Sequence, residues 1–142
     1  MIKYIHDLKE LPDLFEKLKY ETERYGASYT AMLFDLNDPS YYDEFGEFLL
    51  KYLRISDTVF TFSKKKILVI LEETTVRGAL ILNNRLREKI KEKGFTYEFH
   101  CAAVQGNFIS NVDKLKRKLK KRIDKAKEMK TNECIFTLTR LA

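Results

Sequence analysis

The sequence has few of the residues that cross-link or interrupt a chain. Its 142 residues include two cysteines, two prolines, five glycines and no tryptophan. Cys101 and Cys134 form no Cys-x-x-Cys pair and have no histidine cluster beside them, so neither a metal site nor a disulfide framework is expected. We interpret each thiol as a small buried side chain. No linker or low-complexity segment is visible, and we expect one domain spanning residues 1–142.

Long apolar runs are also absent. No run approaches the ~20 residues of a membrane-spanning helix, and the N-terminal segment MIKYIHDLKE has no signal-peptide core. We therefore expect no membrane association and predict a cytoplasmic protein. The composition is rich in charge instead: 34% of the residues are charged and 44% are hydrophobic, a balance typical of a globular fold.

The spacing of apolar residues predicts the element order α-β-α-β-β-α-β-α-β. Helices are expected to begin near Leu11, at Pro39 or Ser40, after Thr75, and after Ser110 or Asn111. Strands are expected in SYTAMLFDL, DTVFTFS, KILVILE, TYEFHCAAV and ECIFTLTRL. This order predicts an α/β fold with a central mixed sheet flanked by helices.

The connection between the two central strands carries an unusual set of side chains. The predicted antiparallel hairpin, at about residues 58–71, has Ser63, Lys64, Lys65 and Lys66 at its tip. Hairpin tips usually carry Gly or Asn, which tolerate positive φ. Two interpretations are open: an ordinary solvated turn, or a catalytic loop whose chemistry has been replaced.

The element order and several strings together resemble the GGDEF domain, the fold of diguanylate cyclases. The segment ASYTAMLFDLND resembles that family's first strand, which ends in a metal-binding acid, here Asp35. LRISD followed by a hairpin resembles the approach to the family's signature loop. TTVRGALILNNRLREKI and VDKLKRKLKKRIDKAKEMKTNECIF are similar to the helix after the hairpin and to the final helix and strand. The resemblance runs from about Leu11 to Phe136 and implies a ferredoxin-like palm.

The signature loop itself departs from the family. The signature Gly-Gly-Asp/Glu-Glu-Phe falls on Ser63, Lys64, Lys65, Lys66 and Ile67. The family's glycines let the main chain approach the nucleotide, and its acid shares divalent metal with the strand-end acid, whereas Lys65 offers an ammonium group. The resemblance therefore implies a catalytically inactive relative with no metal and no cofactor, in which Asp35 is a vestigial metal position. We predict that Lys65 pairs with Asp35 across the hairpin.

A second family motif is retained. Arg54-Ile55-Ser56-Asp57 precedes Ser63 by the spacing of the Arg-x-x-Asp product-inhibition motif, and Arg85 matches the arginine on the next helix that completes that site. Arginine can grip a phosphate or a guanine edge with two donors, and Asp57 can accept from guanine N–H groups. The resemblance thus implies a cyclic di-GMP site at Arg54, Asp57 and Arg85. The alternative is that Asp57 only stabilises a local turn.

The predicted last helix concentrates positive charge. Segment 114–130 holds ten Lys or Arg residues against two acids, in a chain with a net charge of +6. Leu115, Leu119, Ile123 and Ala126 form its expected buried stripe, and the lysines its outer face. It has no aromatic residue to stack on bases and no recognition motif, so nucleic acid is not expected as a partner. Two functions remain open: a regulatory module that binds cyclic di-GMP, or a protein-interaction or dimerisation module without a nucleotide ligand that uses this helix.

Overall fold

The secondary structure follows the predicted order, with one additional strand at its start. The computed structural model describes residues 4–137, apart from the side chain of Phe108. The helices are α1 (Leu11–Tyr25), α2 (Tyr42–Tyr52), α3 (Val76–Lys93) and α4 (Val112–Met129). The strands are β1 (Ile5–His6), β2 (Tyr29–Leu36), β3 (Thr58–Thr61), β4 (Lys66–Glu72), β5 (Phe99–Gln105) and β6 (Cys134–Ile135). Strand β1 was not predicted, because two residues are too few to leave a periodic pattern.

The strands form one mixed sheet in the order β1-β3-β4-β2-β5-β6. Strand β2 is antiparallel to β4 and to β5, and β3 is antiparallel to β4. The two edge strands are parallel to their neighbours, β1 to β3 and β6 to β5. The predicted mixed sheet and its antiparallel hairpin at the lysines are therefore confirmed.

Helices cover both faces of the sheet, so there are two cores. All eight residues of β2 are buried, and they alternate between the two faces. Met32 and Phe34 pack on the side covered by α2 and α3. Tyr29 and Leu33 pack on the side covered by α1 and α4. Asp35 has the same parity as Leu33 and therefore faces α4.

Most helix ends lie where the sequence predicts them. Helix α1 ends at Gly26 and α3 at Gly94, both in the left-handed region, at φ 67° and 71°. The Asn111 side chain accepts a hydrogen bond from the backbone N–H of Lys114 at 2.9 Å and begins α4. Helix α2 begins later than predicted, because residues 39–41 form a turn of 3₁₀-helix in which Asp38 accepts from the N–H of Ser40 at 2.9 Å.

Within residues 4–137, the last strand is shorter than predicted. Of these residues, only Cys134 and Ile135 pair with β5 in the last strand, opposite Cys101 and Ala102. Phe136 and Thr137 do not continue the strand. Residues 138–141 of the predicted strand lie outside the described part of the chain. Within residues 4–137, no helix combines the length and the apolar character that crossing a membrane requires.

Candidate functional site

The first candidate site is built on a closed turn between α2 and β3. The backbone N–H of Asp57 donates to the carbonyl of Arg54 at 3.0 Å, and the N–H of Arg54 donates to Asp57 Oδ2 at 2.8 Å. The Arg54 side chain also reaches across to the β4–α3 connection. Its Nη2 donates to the Glu72 carbonyl and to Thr74 Oγ1, each at 2.6 Å. Arg54 therefore links the turn after α2 to the start of α3.

Asp57 holds Arg54 in this position. Arg54 Nη2 lies 3.2 Å from Asp57 Oδ1. The Asp57 side chain is only 2% exposed, whereas the Arg54 side chain is 55% exposed. The local turn role that the sequence left open for Asp57 is therefore present in the structure. In this geometry Asp57 positions Arg54, and a direct contact of Asp57 with a guanine stays a prediction.

The three predicted site residues line one cavity. A cavity of about 270 Å³ lies between the end of α2, the end of β4 and the outer face of α3, with Arg54, Asp57 and Arg85 in its wall. Arg85 enters from α3, and its guanidinium carbon lies 6.0 Å from the centre of the Tyr52 ring. The remaining lining residues are Leu53, Leu71, Thr74, Gly78, Ile81 and Leu82.

The sequence contains a signal for the α3 part of this wall. Gly78, Ile81, Leu82 and Arg85 recur at a spacing of three or four, which places them on one side of a helix. Ile81 is 59% exposed, and it gives the cavity an apolar edge beside Arg85.

The connection between β3 and β4, at residues 63–66, is a turn that needs no glycine. The backbone N–H of Ser63 donates to the carbonyl of Lys66 at 3.1 Å, and none of the residues 63–66 has a positive φ. The side chains of residues 63–65 are exposed. Ile67, which follows the turn, is fully buried between the sheet and α2.

The carboxylate of Asp35 is paired with two lysines, neither of them the predicted one. Asp35 is 1% exposed, and its Oδ2 lies 3.9 Å from Nζ of Lys66 and in direct contact with Nζ of Lys127 from α4. The predicted pairing with Lys65 is wrong. Alternate residues of a strand face opposite sides, and it is Lys66 that stands opposite Asp35 in the register.

The buried stripe of α4 is confirmed at all four predicted positions, Leu115, Leu119, Ile123 and Ala126. Two basic residues of this helix form intramolecular contacts with the sheet. Arg122 Nη1 donates to the carbonyl of Ala103 at 2.7 Å, and Lys127 pairs with Asp35. The outward positive face of α4 comprises Lys114, Arg117, Lys118, Lys120 and Lys121, all of them exposed.

Solved structures show which fold this is. No protein-family model matches the sequence, and no curated protein matches it. The GGDEF domain of DgcB from Caulobacter crescentus, in complex with c-di-GMP, superimposes with a TM-score of 0.80 at 6% identity over 96% of this chain and 91% of that chain. The active GGEEF domain of a diguanylate cyclase from Vibrio cholerae superimposes with a TM-score of 0.77 at 14% identity, over 96% and 100%. This chain has the GGDEF fold.

A further GGDEF-fold neighbour was solved with a protein partner. The diguanylate cyclase SiaD from Pseudomonas aeruginosa, in complex with its activator SiaC, gives a TM-score of 0.72 at 15% identity, over 92% of this chain and 58% of that chain. The palm predicted from the order of elements is confirmed by these likenesses. At such low identities they establish the fold and nothing about activity.

The residues around Asp35, which the resemblance identifies as a metal position, do not fit a divalent cation. Hard cations take several oxygen ligands, whereas Asp35 is surrounded by the ammonium groups of Lys66 and Lys127 and by His100 across the sheet. Burial lowers the pKa of His100, with the nearby Lys127 and Arg87 acting in the same direction and Asp35 opposing them. Among residues 4–137, no three or more His, Cys, Asp or Glu side chains are grouped as metal ligands.

Proposed function

We propose that this chain is a non-catalytic GGDEF-fold module that binds cyclic di-GMP in the cavity lined by Arg54 and Arg85. The observation that carries the proposal is that Arg54 and Asp57, in the turn after α2, line one cavity together with Arg85 of α3. The DgcB domain, solved in complex with c-di-GMP, has the same fold, which supports this choice of ligand.

The charges of the cavity suit an anionic ligand. The carboxylate of Asp57 pairs with Arg54. Because the cavity lining contains no second carboxylate, the positive charge of Arg85 is not balanced there. Guanidinium groups bind phosphate oxygens or the O6 and N7 atoms of guanine with paired donors. Both ligand groups are present in cyclic di-GMP.

The shape and stiffness of the cavity also favour a flat base. The Tyr52 ring, with Ile81 and Leu82, provides an apolar surface next to the two arginines. Arg54 is already fixed by Asp57 and by its bonds to the β4–α3 connection, so binding costs less side-chain entropy there. An apolar wall with a few fixed polar groups is the usual composition of a small-ligand site.

Isothermal titration of cyclic di-GMP into the protein tests the proposal, with Arg85→Ala as the main variant. Arg85 is exposed, so its removal leaves the fold intact, whereas Arg54→Ala would also remove the link between the turn after α2 and the β4–α3 connection. Arg77→Ala is the matched control: the same charge is lost from the same helix, at an exposed residue outside the cavity. Cyclic di-AMP serves as a second ligand that has the phosphate ring without guanine.

We expect micromolar binding of cyclic di-GMP by the unchanged protein and by Arg77→Ala. Arg85→Ala should bind about tenfold to a hundredfold more weakly, because a charge-assisted hydrogen bond contributes about 1.5–3 kcal/mol. Absence of heat with the unchanged protein would refute a receptor role. Equally weakened binding in Arg85→Ala and Arg77→Ala would mean that Arg85 acts only through non-specific charge attraction.

The absence of cyclase activity is part of the same proposal. It is supported by the side chains at residues 63–66, where the family has glycines and acids, and by the lysine pairing of Asp35. We expect no cyclic di-GMP from GTP with Mg²⁺ or Mn²⁺, as measured by mass spectrometry. Product formation that Asp35→Asn abolishes would contradict this.

A second candidate function is protein interaction through the positive face of α4. Its five exposed basic residues stand on one helix, and no ion pair recorded for residues 4–137 includes any of them. The complex of SiaD with its activator SiaC shows that a GGDEF-fold neighbour binds a protein. Polyglutamate and single-stranded DNA at physiological salt are suitable probes. Binding of polyglutamate alone, lost in Lys118→Glu/Lys121→Glu, would favour an acidic protein partner.

A further inference from the structure

Cys101 and Cys134 lie together in the core, although their spacing in the sequence does not indicate a pair. Their Sγ atoms are 3.1 Å apart, and both residues are buried on the side of the sheet covered by α3. We propose that these two residues are a modification site, at which a low-molecular-weight disulfide such as oxidised glutathione converts the dithiol to an internal disulfide.

The strands already hold the two residues in bonding geometry. Cys101 of β5 and Cys134 of β6 are direct partners in a parallel pair. Neighbouring strands lie about 4.8 Å apart, inside the ~4.4–6.8 Å range of Cα separations that a disulfide spans. The sulfur atoms need to approach by only about 1 Å to reach the bonded distance of ~2.05 Å. The register and the short distance between the two sulfur atoms therefore favour formation of the bond.

The reaction balances as two thiol–disulfide exchanges. The Cys134 thiolate attacks one sulfur of the small disulfide, and one small thiol leaves. The Cys101 thiolate then attacks Cys134 Sγ of the mixed disulfide, and the second small thiol leaves. The small disulfide is reduced by two electrons, and the two protons from the cysteines end on the two released thiols.

The burial of the two thiols determines which cysteine reacts first. Cys134 is 5% exposed and lies on a two-residue edge strand, whereas Cys101 is fully buried in β5. Burial and the hydrogen bond with Cys134 raise the pKa of the Cys101 thiol, and the nearby Arg87 guanidinium opposes that shift. Cys134 should therefore react first, whenever β6 detaches briefly from β5. The mixed disulfide then lies beside Cys101 and closes the bond.

Intact-mass measurement under native conditions tests the proposal. The protein is incubated with oxidised glutathione, quenched with an alkylating reagent, and digested with trypsin without reduction. Cys134→Ala is the control, with circular dichroism to verify its fold. Thermal melting of the oxidised protein is compared with that of the same sample after reduction by a phosphine.

We expect a mass lower by two hydrogen atoms and one linked pair of peptides that contains Cys101 and Cys134. The oxidised protein should melt at a higher temperature, and the reduced sample should return to its original value. Folded Cys134→Ala should show neither change. A stable glutathione adduct on Cys134, or retention of both thiols while the urea-unfolded chain is oxidised, would overturn the proposal.

Discussion

The pairing of Asp35 with Lys127 leads to a testable prediction about the stability of the fold. We consider Asp35→Asn, Lys127→Met and the double variant. Asparagine keeps the shape of the buried carboxylate without its charge, and methionine keeps most of the apolar stem of lysine. The two residues join the end of β2 to the last turns of α4, so the effect should appear in global stability.

The burial of the two partners sets the expected magnitude. Exposed ion pairs contribute about 0.2–1 kcal/mol, whereas removing one partner of a buried pair costs about 3–5 kcal/mol. Asp35 is 1% exposed and Lys127 is 40% exposed, so this pair lies between those limits. We expect Asp35→Asn to cost about 2–3 kcal/mol. Lys127→Met should cost only about 1 kcal/mol, because Lys66 still faces the carboxylate.

Urea unfolding provides the assay. With a slope of about 2 kcal/mol per M, Asp35→Asn should lower the midpoint by about 1–1.5 M. The double-variant cycle should give a coupling energy of about 1 kcal/mol. Lys120→Met, an exposed residue of the same helix, is the control and should stay within about 0.5 kcal/mol. A coupling energy below about 0.3 kcal/mol, or an unchanged midpoint in Asp35→Asn, would refute a stabilising pair.

Three further predictions concern the folded state. Because the pKa of His100 is lowered in the folded protein, the unfolded state takes up more protons as the pH falls through about 6.5. Urea midpoints should therefore fall between pH 7.5 and pH 5.5, and His100→Gln should fall less; an equal fall would contradict this. Gly106→Ala would place a methyl group inside the buried Tyr29 ring, so thermal melting should reveal a loss of about 3 kcal/mol or more. Leu119→Ala removes a fully buried side chain of α4 and should cost about 2–5 kcal/mol, with little change expected for exposed Lys118→Ala.

Features that depend on local sequence were predictable. The buried stripe of α4 follows from residues spaced by three and four, and the ends of α1 and α3 follow from glycines that enter the left-handed region. The hairpin around the lysines was visible because two alternating apolar runs flank a polar connection. The cavity residues Arg54, Asp57 and Arg85 were found only through their resemblance to a family motif. Composition and periodicity did not indicate them.

Features that depend on register or on distant contacts were not predictable. Counting along the hairpin could not decide whether Lys65 or Lys66 faces Asp35, because a shift of one residue exchanges the faces of a strand. The partnership of Asp35 with Lys127 depends on how α4 crosses the sheet. Likewise, Cys101 and Cys134 become neighbours only because β6 pairs with β5 in one particular register. Tertiary packing decides all three.

The Arg54 cavity and the ion pairs of Asp35 occupy different faces and different ends of the sheet. This separation has a functional consequence. Lys66 begins β4 and faces α4 with Asp35, whereas Leu71, near the other end of β4, lines the Arg54 cavity. Lys66 and Glu72 are the two ends of the seven-residue strand β4, so their Cα atoms lie about 20 Å apart. Sites that far apart with no shared partner usually act independently.

Changes at residues 63–67 or at Asp35 should therefore leave the arginine cavity undisturbed. We expect Asp35→Asn to lower stability without changing the affinity that we propose for cyclic di-GMP, and Arg85→Ala to lower that affinity without changing stability. Titrations carried out well below the melting temperature of each variant separate the two effects. Parallel loss of affinity and stability in Asp35→Asn would mean that the sheet couples the two sites.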